Sequence, residues 1–412
     1  MKKLRILTIS EHFYPIRGGS VTYVQNLTRE LGRRSDVFLV TYSPASDLPS
    51  NQWFNSDHTQ VLNLRISSSH GYNTRIGRRA FTSRLMRTLP KILYYIKPDL
   101  VHILYGHEVP RVLRYVPSAI PRLWTIHNVP PREYGSFSFP AQRLGPVLKR
   151  PYDLVAGIIH RTRIRKYLYS HLVASSMRTR AELMGLGIQG DRITKLNIGI
   201  DTKIFKPLVN GARQSIRQRL KIVGKPMILC VAAVVPHKGQ LQALRALRSV
   251  RDIYPDCLFV NIGSVRDQSY NHVLMSEIAA HNLNANCLFL PSNFSNEELA
   301  EFYNACDVYI QPSSEEGFGI AALEAMSCGK RIIATDTGEI ATAIANSDGA
   351  ILREADNIEE LSQLIIDSYQ QKSDIGAAFR LHDYIEKEFS WSTVAGKTMN
   401  LYHTLVESQR CS

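Results

Sequence analysis

Gln311-Pro-Ser-Ser-Glu-Glu-Gly-Phe-Gly-Ile-Ala-Ala-Leu-Glu-Ala-Met-Ser-Cys-Gly-Lys-Arg-Ile-Ile-Ala-Thr-Asp336 is the stretch that decides how this 412-residue chain is read. The apolar run 307–310 before it reads as a buried strand. Residues 312–319 form a loop, and Ile320 opens a helix of small and apolar residues that runs to Met326. Gly329 is placed to stop that helix, and Ile332 to Ala334 reads as the next strand. Strand, glycine loop, helix and strand together aim free backbone N–H groups and a positive helix end at an anion. Two carboxylates flank the anion position: Glu316 in the loop and Glu324 about one turn into the helix. Neither suits a phosphate, because like charges repel, but a carboxylate accepts hydrogen bonds from paired hydroxyls. The economical ligand is anionic in the middle and rich in hydroxyls at both ends, as a nucleotide-linked sugar is. The plainer reading makes both residues solvated surface glutamates.

Outward from this stretch, the length implies two domains, since single cores rarely grow so large. An apolar content of 44% suits a globular protein. No apolar run is long enough to span a bilayer, and the opening Met1-Lys2-Lys3-Leu4 leads into a strand rather than a signal peptide. The six cysteines show no Cys-x-x-Cys pair and no metal-ligand spacing, and read as reduced thiols of a cytosolic protein. The net charge of +14 is lopsided: residues 1–200 carry 30 Lys and Arg against 11 Asp and Glu, residues 201–412 carry 20 against 25. A split of this kind says that the halves face different partners, the basic one an anionic lipid, nucleic acid or acceptor.

Along the chain, strands alternate with helices twice over. The first half reads as strands at 4–9, 36–41, 61–66, 98–104, 121–126, 171–175 and 192–196, with 42–75 otherwise polar and irregular. Gly18 and Gly19 lie between the first strand and the first helix, with Ser20 as its expected N-cap; a simple glycine turn is the alternative. His127 ends a parallel strand on the side where such sheets bind ligands, or is a loop histidine bonded to backbone. Residues 143–166 interleave seven basic residues with apolar ones, which suits an anionic membrane surface or an ordinary helix with a wet face. In the second half, strands fall at 227–233, 258–262, 287–290 and 307–310, with a helical stretch at 357–386. Lys238, in the loop before a helix, can neutralise a diphosphate or stand exposed. The pattern is α/β, two doubly wound parallel-sheet domains.

Glu316-Gly317-Phe318-Gly319 with Glu324 eight residues after Glu316 resembles the Glu-x7-Glu motif of the retaining family 4 glycosyltransferases. The resemblance implies the GT-B architecture, two Rossmann-like domains facing across a cleft. It implies a first domain at 1–203, completed by a C-terminal helix at 392–412, and a nucleotide-sugar domain at 204–391. It further implies that Glu316 contacts the donor sugar, that amides at Phe318, Gly319, Ile320 and Ala321 hold the diphosphate, and that Glu324 holds the ribose. Gly18 and Gly19 would face the donor, and His127 would contact its sugar near the acceptor. Where the family has Gly-Arg before Pro-x-Lys-Gly, this chain has Ala232-Ala233, so Lys238 would clamp the diphosphate without an arginine beside it.

The expected activity is retaining transfer of a sugar from a UDP- or GDP-sugar to a hydroxyl acceptor, lipid-linked acceptors included, in bacterial surface polysaccharide or glycolipid synthesis. No Asp-x-Asp occurs, so no metal and no cofactor beyond the donor are expected. An epimerase or hydrolase of the same architecture, a membrane-binding pseudoenzyme, and a nucleic-acid binder are the competing readings. The last leaves Glu316 and Glu324 idle, and no nucleic acid is expected. The protein is placed in the cytoplasm, with contact at the inner face of the plasma membrane as the alternative.

Overall fold

The structure is a computed structural model, and it describes residues 3–11, 13, 19–42, 48–66, 74–106, 108–127, 129, 162, 164, 167, 169–208, 211–345, 347, 349–371 and 374–411. The chain divides into two compact units, Met1–Gly199 with Trp391–Ser412, and Ile200–Ser390.

In chain order the first unit contains β1 (Arg5–Ser10), α1 (Gly19–Gly32), β2 (Asp36–Thr41), β3 (Trp53–Ser56), β4 (Thr59–Asn63), α2 (Arg75–Ile96), β5 (Leu100–Tyr105), β6 (Arg122–Ile126), β7 (His171–Ala174), α3 (Met177–Gly185) and β8 (Ile193–Lys195). The strands form one sheet in the order β3-β4-β2-β1-β5-β6-β7-β8, parallel except for β3 against β4. Leu7, Ile9, Phe38, Val40, Val101 and Ile103 share a core with Phe81, Leu85 and Leu89 of α2. The alternate positions, Ile6, Thr8, Leu39 and His102 among them, are equally buried. Burial on both faces is why these strands read as unbroken apolar runs.

Two expectations are corrected here. The polar stretch after β2 holds a hairpin: Ser56 pairs with Thr59, and Asp57 and His58 between them have φ of 41° and 64°. That is the two-residue loop hairpins favour, built without the glycine that usually signals it. Helix α1 begins at Gly19, so Ser20 lies in its first turn rather than at its cap. The helix at 75–96 takes its cap from Thr74, whose side chain accepts from the Gly77 N–H, and it tolerates Pro90 inside. The basic run at 143–166 lies outside the described residues except for Thr162 and the buried Ile164.

The second unit contains α4 (Ala212–Arg219), β9 (Met227–Val231), α5 (Gln240–Ile253), β10 (Leu258–Ile262), α6 (Gln268–Ala280), β11 (Cys287–Leu290), α7 (Asn296–Ala305), β12 (Val308–Gln311), α8 (Ile320–Ser327), β13 (Ile332–Thr335), α9 (Ile340–Ile344), β14 (Ala350–Leu352), α10 (Ile358–Gln370) and α11 (Ile375–Phe389). Its sheet runs β11-β10-β9-β12-β13-β14, all parallel. Ile228, Phe259, Val308, Ile310 and Ile333 pack with Leu244 and Leu247 of α5, Leu274 of α6, and Leu361 and Ile365 of α10. The strand order reverses beside β9 and β12, and the loops that follow these two strands carry the residues singled out above.

Candidate functional site

The site is built at the start of α8. Gly319 is the N-cap of the helix, with φ of +95° and no side chain to cap it. A Cβ on Gly319 would lie 2.4 Å from Cγ1 of Ile340, so only glycine lets the chain turn here. The first turn closes where the Leu323 N–H donates to the Gly319 carbonyl, at 3.2 Å. The amides of Ile320, Ala321 and Ala322 come before that bond. They have no partner within the helix and carry its positive end.

The loop leading to α8 is stitched on both sides. The Ser314 N–H donates to the His237 carbonyl at 3.0 Å, and the Glu339 N–H donates to the Phe318 carbonyl at 3.1 Å. Gly239, φ +75°, lies so close to Pro312 that a Cβ would fall 2.1 Å from its carbonyl oxygen. The loop after β9 is thereby joined to the loop after β12, and Lys238 to Glu316. Glu316 Oε1 accepts from Lys238 Nζ at 2.7 Å and from Ser313 Oγ at 2.9 Å. Read from the sequence, these two residues have separate duties, one at the phosphates and one at the sugar. In the structure they form a largely shielded ion pair. An ammonium has three N–H donors, so the pair leaves Lys238 two for a ligand.

Glu324 projects from the second turn of α8, and its Oε2 accepts from the hydroxyl of Tyr303 at 2.9 Å. Burial pushes this carboxyl up to about 7, while the Tyr303 bond pulls it down. Near neutral pH it is therefore divided between the charged and protonated forms. Where the chain has Ala232-Ala233, the backbone is held by side chains from below. Gln240 donates to the Ala233 carbonyl at 2.9 Å and Asn261 to that of Ala232 at 3.4 Å. Arg266 stands next to this loop, its N–H on the Val234 carbonyl at 3.3 Å. The His237 ring is held below its usual range by burial, then by the charge of Lys238, with a smaller push from Arg266.

The remaining candidates belong to the first unit. Gly19 opens α1 and is exposed; Gly18 lies outside the described residues. His127 follows β6. Its Nε2 lies 3.2 Å from the Leu104 carbonyl, and its ring meets the edge of Tyr23 of α1 at 4.6 Å. Burial lowers its pKa to about 4, so the ring is neutral at physiological pH, with the Leu104 carbonyl holding the proton on Nε2. Beneath it, buried His102 bonds Tyr402 of the C-terminal helix at 2.6 Å and Thr125 at 2.7 Å.

Reading by sequence missed Tyr303, Ser313, Gln240 and Asn261. Ser313 has a signal, three residues before Glu316 in a turn. Tyr303 has none, since it sits among the apolar residues of α7.

Against known protein families, residues 212–381 match the model described as glycosyl transferases group 1, and residues 17–204 match glycosyltransferase family 4. Among curated proteins, the chain is 28% identical over 214 residues to a GDP-mannose-dependent monoacylated alpha-(1-6)-phosphatidylinositol monomannoside mannosyltransferase of Corynebacterium glutamicum, covering 49% of this chain and 54% of that protein. The chain thus spans about half the length of such relatives. Among solved structures, sucrose-phosphate synthase from Thermosynechococcus elongatus superposes with a TM-score of 0.76 at 20% identity, covering 98% of this chain and 99% of that one. Anabaena HepE in complex with UDP and glucose gives 0.70 at 17% identity, covering 97% and 99%. At such identities these likenesses speak for the fold, and the fold is GT-B. Matched by one glycosyltransferase model in its first half and by another in its second, the chain belongs to the family 4 glycosyltransferases.

Proposed function

We propose that this chain transfers a sugar, with retention of anomeric configuration, from a nucleoside diphosphate sugar to a hydroxyl acceptor. One observation carries the proposal: an uncapped, glycine-framed helix start flanked by two carboxylates, one of them joined to a lysine. The diphosphate would lie against the amides of Gly319, Ile320 and Ala321 and the two spare donors of Lys238. Glu316, fixed by Ser313 and Lys238, would accept hydrogen bonds from the sugar hydroxyls, and Glu324 those of the ribose. Gly317 and Phe318 carry the backbone past the sugar. In the transition state charge builds on the departing diphosphate, and preorganised donors stabilise it as it forms. The lysine and amides supply that charge without a metal ion, which makes metal independence part of the proposal. His127, neutral, would meet the donor sugar as a hydrogen-bonding group rather than as a proton shuttle. No covalent nucleophile is assigned.

The donor would be a UDP- or GDP-sugar, as the names of the relatives suggest, and the acceptor a glycan or glycolipid hydroxyl at the inner face of a membrane. For the membrane, α2 offers Tyr94, Tyr95 and Ile76, all well exposed, among Arg84, Arg87 and Lys91. The test is incubation of the purified chain with a panel of nucleotide sugars and hydroxyl acceptors. Acceptor-dependent release of nucleoside diphosphate, an unchanged anomeric configuration in the product, and loss of both in Glu316→Gln are expected. Release that ignores the acceptor would turn the reading toward a hydrolase.

A further inference from the structure

Tyr303 lies wholly inside the second unit, on α7, with its ring 5.7 Å from that of Tyr309 on β12 and 5.8 Å from that of Phe205. Its one polar atom is spent on Glu324 Oε2, at 2.9 Å. A phenol buried this deeply pays for its place by making that bond, because an unpartnered hydroxyl in such surroundings is costly. The glutamate is constrained twice: α8 fixes its backbone, and Tyr303 fixes the rotation of its carboxylate. Among the described residues nothing else bonds this carboxylate, so Oε1 and the second lone pair of Oε2 are left for a ligand.

We infer that Tyr303 is a positioning residue of the donor site, whose hydroxyl locks the Glu324 carboxylate toward the nucleoside diol. This rests on the reading of the α8 start as the nucleotide pocket. A carboxylate accepts from two ribose hydroxyls, whereas a carboxylic acid must give up part of that capacity. Binding of the nucleotide is therefore coupled to loss of a proton from Glu324, and the affinity rises as pH rises through the range where this group ionises. Burial disfavours the anion, and among the described residues it is the Tyr303 bond that opposes it. Among the described residues, the other titratable groups that feel the Glu324 charge are Tyr309 of β12 and Cys328 at the C-cap of α8. Burial keeps both of these neutral, so neither supplies a competing switch near pH 7.

The experiment is calorimetric titration of the full chain with UDP and with GDP between pH 6 and 9, in buffers of differing ionisation enthalpy. Wild type should tighten its hold as pH rises, with a midpoint near 7, and should release a fraction of a proton on binding at pH 7. Tyr303→Phe keeps the ring and removes the hydroxyl. Its midpoint should move up by about one unit, so binding weakens roughly fivefold at pH 7 and recovers by pH 9. Glu324→Gln should lose the rise centred near pH 7 and its share of the proton release, leaving only what the second ionisation of the terminal phosphate, at about 6, contributes. A Tyr303→Phe protein with the wild-type midpoint, or with a loss equal at every pH, overturns the inference while the proposed function stands, provided that Glu324→Gln removes the rise near pH 7. Failure of wild type to bind either nucleotide at any pH overturns both.

Discussion

Replacing Gly319 by alanine is the smallest change that strikes the start of α8. Two costs can be worked out. At φ +95° an L residue gives up roughly 1–2 kcal/mol that glycine does not. The added Cβ would also fall 2.4 Å from Cγ1 and 2.6 Å from Cδ1 of Ile340, a wholly buried side chain. Relieving such overpacking costs about another 1–3 kcal/mol. For a unit the size of Ile200–Ser390, a total of about 2–5 kcal/mol lowers the melting temperature by roughly 4–20 °C. Gly211→Ala is the control, because Gly211 has φ of +83° with nothing within 4 Å of its missing Cβ. It bears only the backbone term and should lose about 2–8 °C. Calorimetric melting of both variants separates the terms, and Ile340→Ala added to Gly319→Ala should give a favourable coupling, because it empties the space the new methyl needs. Nucleotide affinity should fall in the Gly319 variant alone, since the amides it precedes shift with it. A Gly319→Ala protein that melts no lower than Gly211→Ala, or that binds UDP and GDP as wild type does, refutes this account of the loop.

Lys238→Ala should weaken nucleoside diphosphate binding by about 10- to 100-fold in titration calorimetry, the worth of a charge-assisted bond, and an unchanged Kd would remove Lys238 from the site. Stability should also fall in acid. His102 is fully buried with its pKa lowered to about 3, whereas in the unfolded chain it takes up a proton near 6.5. Its contribution is complete above pH 6.5 and is lost below it, at up to about 1.4 kcal/mol per pH unit. Denaturant unfolding at pH 7 and 5 should show a smaller difference for His102→Gln than for wild type, and an equal difference would contradict the assignment. Flotation with liposomes should recover more protein when anionic lipid is present, and equal recovery would remove the membrane contact from the proposal.

Much of the second unit could be read from its letters, because β9, β10, β12 and β13 are buried on both faces and the starts of α4, α5 and α8 are marked by glycine. The stretch 311–336 folds as its residues suggest for the same reason: Gly319 and Gly329, at φ +95° and +71°, sit where only glycine is at ease. The hairpin of β3 and β4 was hidden because Asp57 and His58 take the left-handed turn without a glycine. The pairing of Lys238 with Glu316 could not be read at all. It depends on β9 and β12 lying side by side in the sheet, which brings together two loops far apart in the chain. Tyr303 was hidden for a different reason: an apolar helix face gives no sign that one of its members carries a hydroxyl aimed at an acid on another helix. Local pattern specifies elements, and the partners of polar side chains follow only once the sheet has set which loops are neighbours.

The central claim is that paired phosphoryl groups sit on the open amides at the start of α8. A crystal structure of the chain with UDP or GDP tests it most directly. The account predicts the diphosphate within hydrogen-bonding distance of the Ile320 and Ala321 amides and of Lys238 Nζ, with the ribose at Glu324. A nucleotide bound elsewhere, with those amides facing water, would contradict it.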